Sequence, residues 1–198
     1  SNMLYAFRCA DGICAIPPHD STHTVTNLND SGAGSLRQAV ADSIYGDNIQ
    51  FQSELNGTLR LSSTLTIDKN LTVNGPGANK LTISGNNTVG VFEVLYGVKL
   101  DINAVTIANG NASSGGGINN GGTLTLVNSV LSANTATGRG GGGIYNGVGA
   151  TLNIRNSTFS GNTTTWSYEG AAIYNCAGLM DIRSSTFSNN QAGWGAGA

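Results

Sequence analysis

Short runs in which apolar and polar residues alternate recur along most of the chain. "TLTLVNSVLSANTA" begins at Thr123, "TLNIRNSTFSGNTT" at Thr151 and "LMDIRSSTFSNNQA" at Leu179. Leu124, Leu152 and Met180 stand 28 residues apart, and Leu131, Phe159 and Phe187 keep the same interval. Within each run the period is two. Leu124 and Leu126, Leu152 and Ile154, and Met180 and Ile182 therefore fall on one side, with Thr125, Asn153 and Asp181 on the other. Between the runs lie "GGGINN" at Gly115, "GGGIYN" at Gly141 and "GAAIYN" at Gly170. One period thus holds a glycine-led block, an alternating strand and a further short apolar segment. Looser copies read "VFEV" at Val91, "VKLDI" at Val98 and "VTIANG" at Val105, preceded by "LTI" at Leu65, "LTV" at Leu71 and "LTI" at Leu81.

Self-similarity at this period is the mark of a solenoid, whose units bury their apolar face only by stacking. Three short strands per coil, an apolar inner side and polar corners predict an all-β fold, a parallel β-helix. Residues one period apart then become neighbours at roughly 4.8 Å. Glycine suits a corner where the chain turns sharply beside near-identical chains, since it removes the Cβ and permits positive φ. Ile118, Ile144 and Ile173 should point inward. Asn120, Asn146 and Asn175 at one end of the blocks, and Asn134, Asn162 and Asn190 at the other, are predicted to form structural amide ladders.

A stack of strands leaves an open end that needs cover. "NDSGAGSLRQAVADS" predicts the capping α-helix: Ser35 as N-cap, with Leu36, Ala39 and Val40 on one face and Gly46 past its end. Val25, "IQF" at Ile49 and "LRL" at Leu59 read as strands joining it to the first coils. The division expected is a tail over 1–24, a cap over 25–62 and coils over 63–198. Ser1-Asn2 before Met3 has the form of a protease-cleavage tag scar. The closing "GWGAGA" matches the start of a glycine block whose isoleucine is missing, so the native protein is expected to continue. The last coil would then offer an open edge for end-to-end self-association.

Charge narrows the range of partners. Only 10% of the 198 residues are charged and the formal net charge is −2, so no basic field attracts nucleic acid or an acidic membrane surface. No run approaches the ~18 apolar residues of a spanning helix, so no membrane insertion by this segment is expected. With 29 glycines but 3 prolines, the composition reads as ordered rather than linker-like. Cys9 and Cys14 lie close together and Cys176 stands alone, an odd count that leaves a local disulfide open.

The blocks resemble a known family. Gly-Gly-x-Ile at Gly115 and Gly141, its variant "GAAI" at Gly170, "FSGN" at Phe159, "FSNN" at Phe187 and the departure "LSAN" at Leu131 are similar to the paired repeat of chlamydial polymorphic outer-membrane proteins and related bacterial surface proteins. "GSLRQAV" at Gly34 and "GDNIQF" at Gly46 resemble the segment that opens such domains. The resemblance covers most of residues 25–198. It implies a right-handed β-helix exported to the extracellular or outer-membrane surface of a bacterium, as an adhesin or autotransporter passenger.

Parallel β-helices also include polysaccharide enzymes, which need clustered carboxylates for calcium or for acid–base work. In the regular coils only Glu93, Asp101, Glu169 and Asp181 are acidic, and Asp101 and Asp181 should lie about three rungs, roughly 14 Å, apart. No catalytic residue is assigned and no cofactor is expected. Cys9, Cys14, His19, His23 and Asp20 include zinc-ligand types, but at a spacing too short for a finger, and no metal is assigned. Arg155 and Arg183 should stack outward near Asp181, either as an anion or uronate site or as a solvated ladder. Tyr145 and Tyr174 align outward with Asn119 beneath, and Trp166 lies in a nearby corner; all three aromatics are candidates for ligand contact.

The sequence favours a non-enzymatic exported module that presents loops such as 135–140 and 163–170 to a host or neighbouring-cell surface protein or glycan. A polysaccharide-binding or polysaccharide-degrading protein is the alternative. Ice binding fits less well, because the outward positions mix Thr, Asn, Asp and Arg.

Overall fold

Residues one period apart pair edge to edge. In the computed structural model, which describes residues 8–10, 13–15, 21–165 and 170–193, Leu100, Leu124, Leu152 and Met180 stand in one column, and Ile107, Leu131, Phe159 and Phe187 in another. The chain is a parallel β-helix carrying one short helix.

Its first face is the five-stranded sheet built from Leu65–Ile67, Phe92–Val94, Ile118–Asn120, Ile144–Asn146 and Ile173–Asn175. The second has seven strands: Thr22–Val25, Asn48–Phe51, Leu71–Asn74, Lys99–Asn103, Thr123–Val127, Thr151–Arg155 and Leu179–Arg183. The third has six: Gly57–Arg60, Leu81–Ser84, Thr106–Ala108, Val130–Ser132, Thr158–Ser160 and Thr186–Ser188. A fourth ladder joins the predicted three, made of the two-residue strands Asn111–Ala112, Thr135–Ala136, Thr163–Thr164 and Gln191–Ala192. Two residues are too few to show a period, which is why the alternation does not reveal this face.

Alternation along each strand sets the core. Ile118, Ile144, Leu124, Leu126, Leu152, Ile154, Leu131 and Phe159 are all 0% exposed. Each such side chain stabilises the fold by about 1.5–3 kcal/mol before entropy is set against it. Met180 and Phe187 occupy the same inward columns but are 47% and 42% exposed, because no described coil lies over them. Phe187 keeps its ring stacked on Phe159, with centroids 4.9 Å apart and planes at 10°.

Two corners share a device. In the later coils the second and third faces are joined by Ala104-Val105, Asn128-Ser129, Asn156-Ser157 and Ser184-Ser185. The first residue of each pair sits at φ of 59°, 52°, 49° and 51°. The third and fourth faces are joined by Asn109-Gly110, Ala133-Asn134, Gly161-Asn162 and Asn189-Asn190, again with a first residue at positive φ. That left-handed residue makes the turn and the next one occupies the inner corner. Asparagine tolerates the conformation better than other residues bearing a Cβ.

The inner-corner residues bond from coil to coil. Asn134 Nδ2 donates to Asn162 Oδ1 and Asn162 Nδ2 to Asn190 Oδ1, each at 2.9 Å. Asn120 Nδ2 donates to Asn146 Oδ1 and Asn146 Nδ2 to Asn175 Oδ1, each at 2.7 Å. A serine column accompanies them: the Ser129 and Ser157 N–H groups donate to Ser157 Oγ and Ser185 Oγ at 3.2 Å. Each side chain also bonds the backbone, as in Asn162 Nδ2 to Leu131 O at 2.9 Å.

The glycine block is explained by crowding. Gly141 has φ +76°, while a Cβ on Gly142 would lie 2.2 Å from Thr163 O and one on Gly143 2.4 Å from Ala172 O. In the next copy, Ala171 and Ala172 stand in the equivalent places and are themselves buried, at 0% and 2% exposed.

Leu36–Asp42 forms the helix, with Ser35 Oγ accepting the Gln38 N–H at 3.2 Å. Seven residues make no stable helix alone. Leu36, Ala39 and Val40 are buried in the same core as the coils, against Thr22–Val25 and Asn48–Phe51. Lys69 Nζ donates to Val40 O at 3.2 Å, and Arg37 reaches Ser63 O at 2.7 Å. Before the coils, Arg8–Ala10 and Ile13–Ala15 pair antiparallel with Cys9 opposite Cys14 in the backbone register.

Candidate functional site

The corners differ in how much length they allow. The two turns built on left-handed residues stay at two residues through the later coils. The connection from the fourth face to the first is instead 113–117, then 137–143, then 165–172. The strands on either side hold their register through these changes, with Ala112, Ala136 and Thr164 aligned before the corner and Ile118, Ile144 and Ile173 after it. The corner can lengthen because its extra residues leave the ladder and enter solvent; Thr137 and Arg139 are exposed. Of the display loops predicted over 135–140 and 163–170, residues 137–140, 165 and 170 belong to this corner, 135–136 and 163–164 are instead strands of the fourth face, and 166–169 lie outside the described residues.

The strand that follows carries the tyrosines. Thr66, Glu93, Asn119, Tyr145 and Tyr174 form one outward column of the first face. The Tyr145 and Tyr174 rings lie 5.7 Å apart at 31°, tilted and half-buried. At one end of the column the Thr66 hydroxyl donates to Glu93 Oε2 at 3.3 Å. Cys176, a free thiol, hydrogen-bonds Tyr145 and raises the phenol pKa; burial raises it further, and Arg139 draws it partly back. Tyr145 is therefore a neutral phenol at physiological pH. Cys176 and Arg139 were not picked out from sequence as neighbours of this pair, and Glu93 stands two rungs from Tyr145 with Asn119 between them. Cys176 shares the glycine-block register, but Arg139 comes from the irregular corner, which no period can place.

The other candidates fall elsewhere. Arg155 and Arg183 are register partners on the second face, both exposed. Arg183 Nε lies 3.0 Å from Asp181 Oδ2, and Arg155 makes no ion pair among the described residues. Pairs this exposed contribute little. Asp101 and Asp181 share a column with Thr125 and Asn153 between them, so the two carboxylates cannot act on one atom. Asn120, Asn146, Asn134 and Asn162 are 0% exposed and serve the interior; Asn175 and Asn190 continue their columns in the last coil. Trp166 lies outside the described residues, as do His19 and Asp20. His23 Nε2 is 3.0 Å from Asp47 Oδ2, and the buried Asp47 also accepts the Ile44 N–H at 2.9 Å, a local tie with no signal in the sequence. No group of three or more His, Cys, Asp or Glu residues able to hold a metal occurs among the described residues. Among them, too, no helix is long and apolar enough to cross a membrane.

The first-face column and the corner beside it are the part of the described surface where aromatic, cationic, acidic and thiol groups stand together. Comparison of the chain with family models, with curated proteins and with solved structures gives no match.

Proposed function

We propose that the chain is a non-enzymatic module exported to a bacterial cell surface, of the adhesin or passenger type. Its stack holds the fourth-to-first corner and the Tyr145–Tyr174 pair against a protein or glycan on another cell. The observation that carries this reading is the combination of a corner whose length changes from coil to coil and an outward aromatic column directly after it. A rigid support with variable loops is how binding surfaces are built on many folds. Partly exposed tyrosines offer contact area at low entropic cost together with a hydroxyl for hydrogen bonding. The likeness of the glycine and Phe-x-x-Asn blocks to the chlamydial repeats supports export and surface display. The separation of Asp101 from Asp181 supports a role without hydrolysis.

The test uses fluorescently labelled chain on a glycan array and on intact host and neighbouring bacterial cells. Tyr145→Ala with Tyr174→Ala should weaken binding at least tenfold while far-UV circular dichroism stays unchanged. Binding that survives this change together with replacement of residues 137–140 would remove the assignment. Cleavage of a polyuronate by the chain would replace it with the degradative alternative.

A further inference from the structure

The third face carries a second, different surface. Thr58, Thr82 and Thr106 form one outward column; in the next, Arg60 and Ser132 reach the surface while Ser84 and Ala108 between them are buried, with Ser84 Oγ accepting the Asn86 N–H at 3.1 Å. With Asn86, Asn87 and Asn109 they line an open trough of about 460 Å3. The turn on its edge is fixed: Asn86 and Asn87 have φ of 53° and 57°, the Asn87 N–H donates to Asn109 O at 2.7 Å, and Asn111 Nδ2 donates to Asn87 O at 3.0 Å. The Asn86 and Asn87 side chains and the Arg60 guanidinium are exposed and make no hydrogen bond or ion pair among the described residues. No carboxylate lines the trough.

These features define the ligand chemistry. The volume matches a small-molecule site, but such sites are usually apolar, whereas this lining is hydroxyl, amide and guanidinium. The hydroxyls of Thr58, Thr82 and Thr106 recur rung by rung at ~4.8 Å, so a ligand using all three must itself repeat hydroxyl groups along a chain. At the end of the adjoining column stands Arg60, a cation with no ion pair among the described residues, suited to a carboxylate. We propose that this trough binds an acidic oligosaccharide, its hydroxyls along the threonine column and the Asn86, Asn87 and Ser132 side chains, and a carboxylate on Arg60. The site lies on another face from Tyr145 and Tyr174 and stands independently of the display reading.

Isothermal titration with a short oligogalacturonide tests it, with a malto-oligosaccharide as the neutral chain and sodium sulfate as the bare anion. The oligogalacturonide should bind, and the other two should bind far more weakly. Arg60→Ala should reduce its affinity roughly tenfold. Arg60 is exposed and partnerless, so that variant keeps its fold. Ser132→Tyr, which blocks the far end, should weaken binding as well. Lys99→Ala removes an equal charge from the second face and should change nothing. No binding by the oligogalacturonide overturns the proposal. So does equal binding by the neutral chain, full competition by sulfate at equal concentration, or an equal loss in Lys99→Ala.

Discussion

Asn162 sits at the middle of an interior amide column, 0% exposed. Its oxygen accepts the Asn134 N–H at 3.2 Å and Asn134 Nδ2 at 2.9 Å. Its nitrogen donates to Leu131 O and Asn190 Oδ1, both at 2.9 Å. Asn162→Ala removes all four bonds. Asn190, in the more open last coil, can turn to water, but the Asn134 N–H, the Asn134 amide and Leu131 O lie inside. A buried group that loses its partner costs about 1–3 kcal/mol. Three groups near the low end of that range give an expected loss of about 3–4 kcal/mol. Urea unfolding should show it as a lower midpoint, and because repeat stacks respond locally, amide exchange should quicken first around residues 131–134 and 158–163. Asn162→Asp separates the two halves of the amide. The carboxylate can still accept from Asn134 but meets two acceptors where the amide donated, so the loss at neutral pH should be at least as large. The folded state would then hold the proton more tightly than the unfolded chain, which raises the folded pKa. Stability of that variant should therefore rise relative to the parent as pH falls and be lost as pH climbs through the raised value. A loss under about 1 kcal/mol for Asn162→Ala, or an Asn162→Asp variant indifferent to pH, would refute the view that these amides hold the corner.

Two further outcomes follow from the cap and the corners. Burial would raise the Asp30 carboxyl pKa, but the Ser62 hydroxyl and the Arg37 guanidinium, 2.7 Å away, bring it below its ordinary 3.8. The stabilisation is thus complete above that value and disappears as pH falls through the lower folded pKa. The stability gap between the parent and Asp30→Asn should narrow accordingly in acid, as read from melting curves over a pH series. Gly142→Ala drives a Cβ to 2.2 Å from Thr163 O, whereas Gly149 has φ +73° with nothing within 4 Å of an added Cβ. Gly142→Ala should lower stability by about 1–3 kcal/mol from overpacking. Gly149→Ala should cost only the roughly 1–2 kcal/mol of a left-handed alanine, and a reversed order in thermal unfolding would contradict the crowding account.

The 28-residue spacing of Leu124, Leu152 and Met180 was enough to define the stacked column. The interval holds from the second face through the fourth, so it places Phe159 and inner Asn162 together with Leu152; Ile144 is placed by its own glycine block, because Ile118, Ile144 and Ile173 are 26 and 29 residues apart. Ser35, Leu36, Ala39 and Val40 were legible as a capped amphipathic turn for the same local reasons that form it. The two-residue strand at Thr135–Ala136 was not legible, since two residues carry no alternation. Ser129 and Ser157 look like any turn serines until the coil above is in place. The candidate site was half readable: Tyr145 and Tyr174 follow the register, but Arg139 reaches them from a connection whose path depends on solvent and sterics rather than on repetition. His23 meets Asp47 only because the adjacent strands Thr22–Val25 and Asn48–Phe51 pair.

In the Asn134–Asn162–Asn190 column the amide nitrogens donate both to the next coil and back to Ile107 O, Leu131 O and Phe159 O, whereas those of Asn120 and Asn146 donate only toward the higher-numbered coil, to Asn146 Oδ1 and Thr151 O and to Asn175 Oδ1 and Leu179 O. In the column of Asn120 and Asn146 the bond dipoles therefore add rather than cancel, and each bond polarises the next. That column is therefore polar along the stack, whereas the other ties each coil to both its neighbours and carries no single direction.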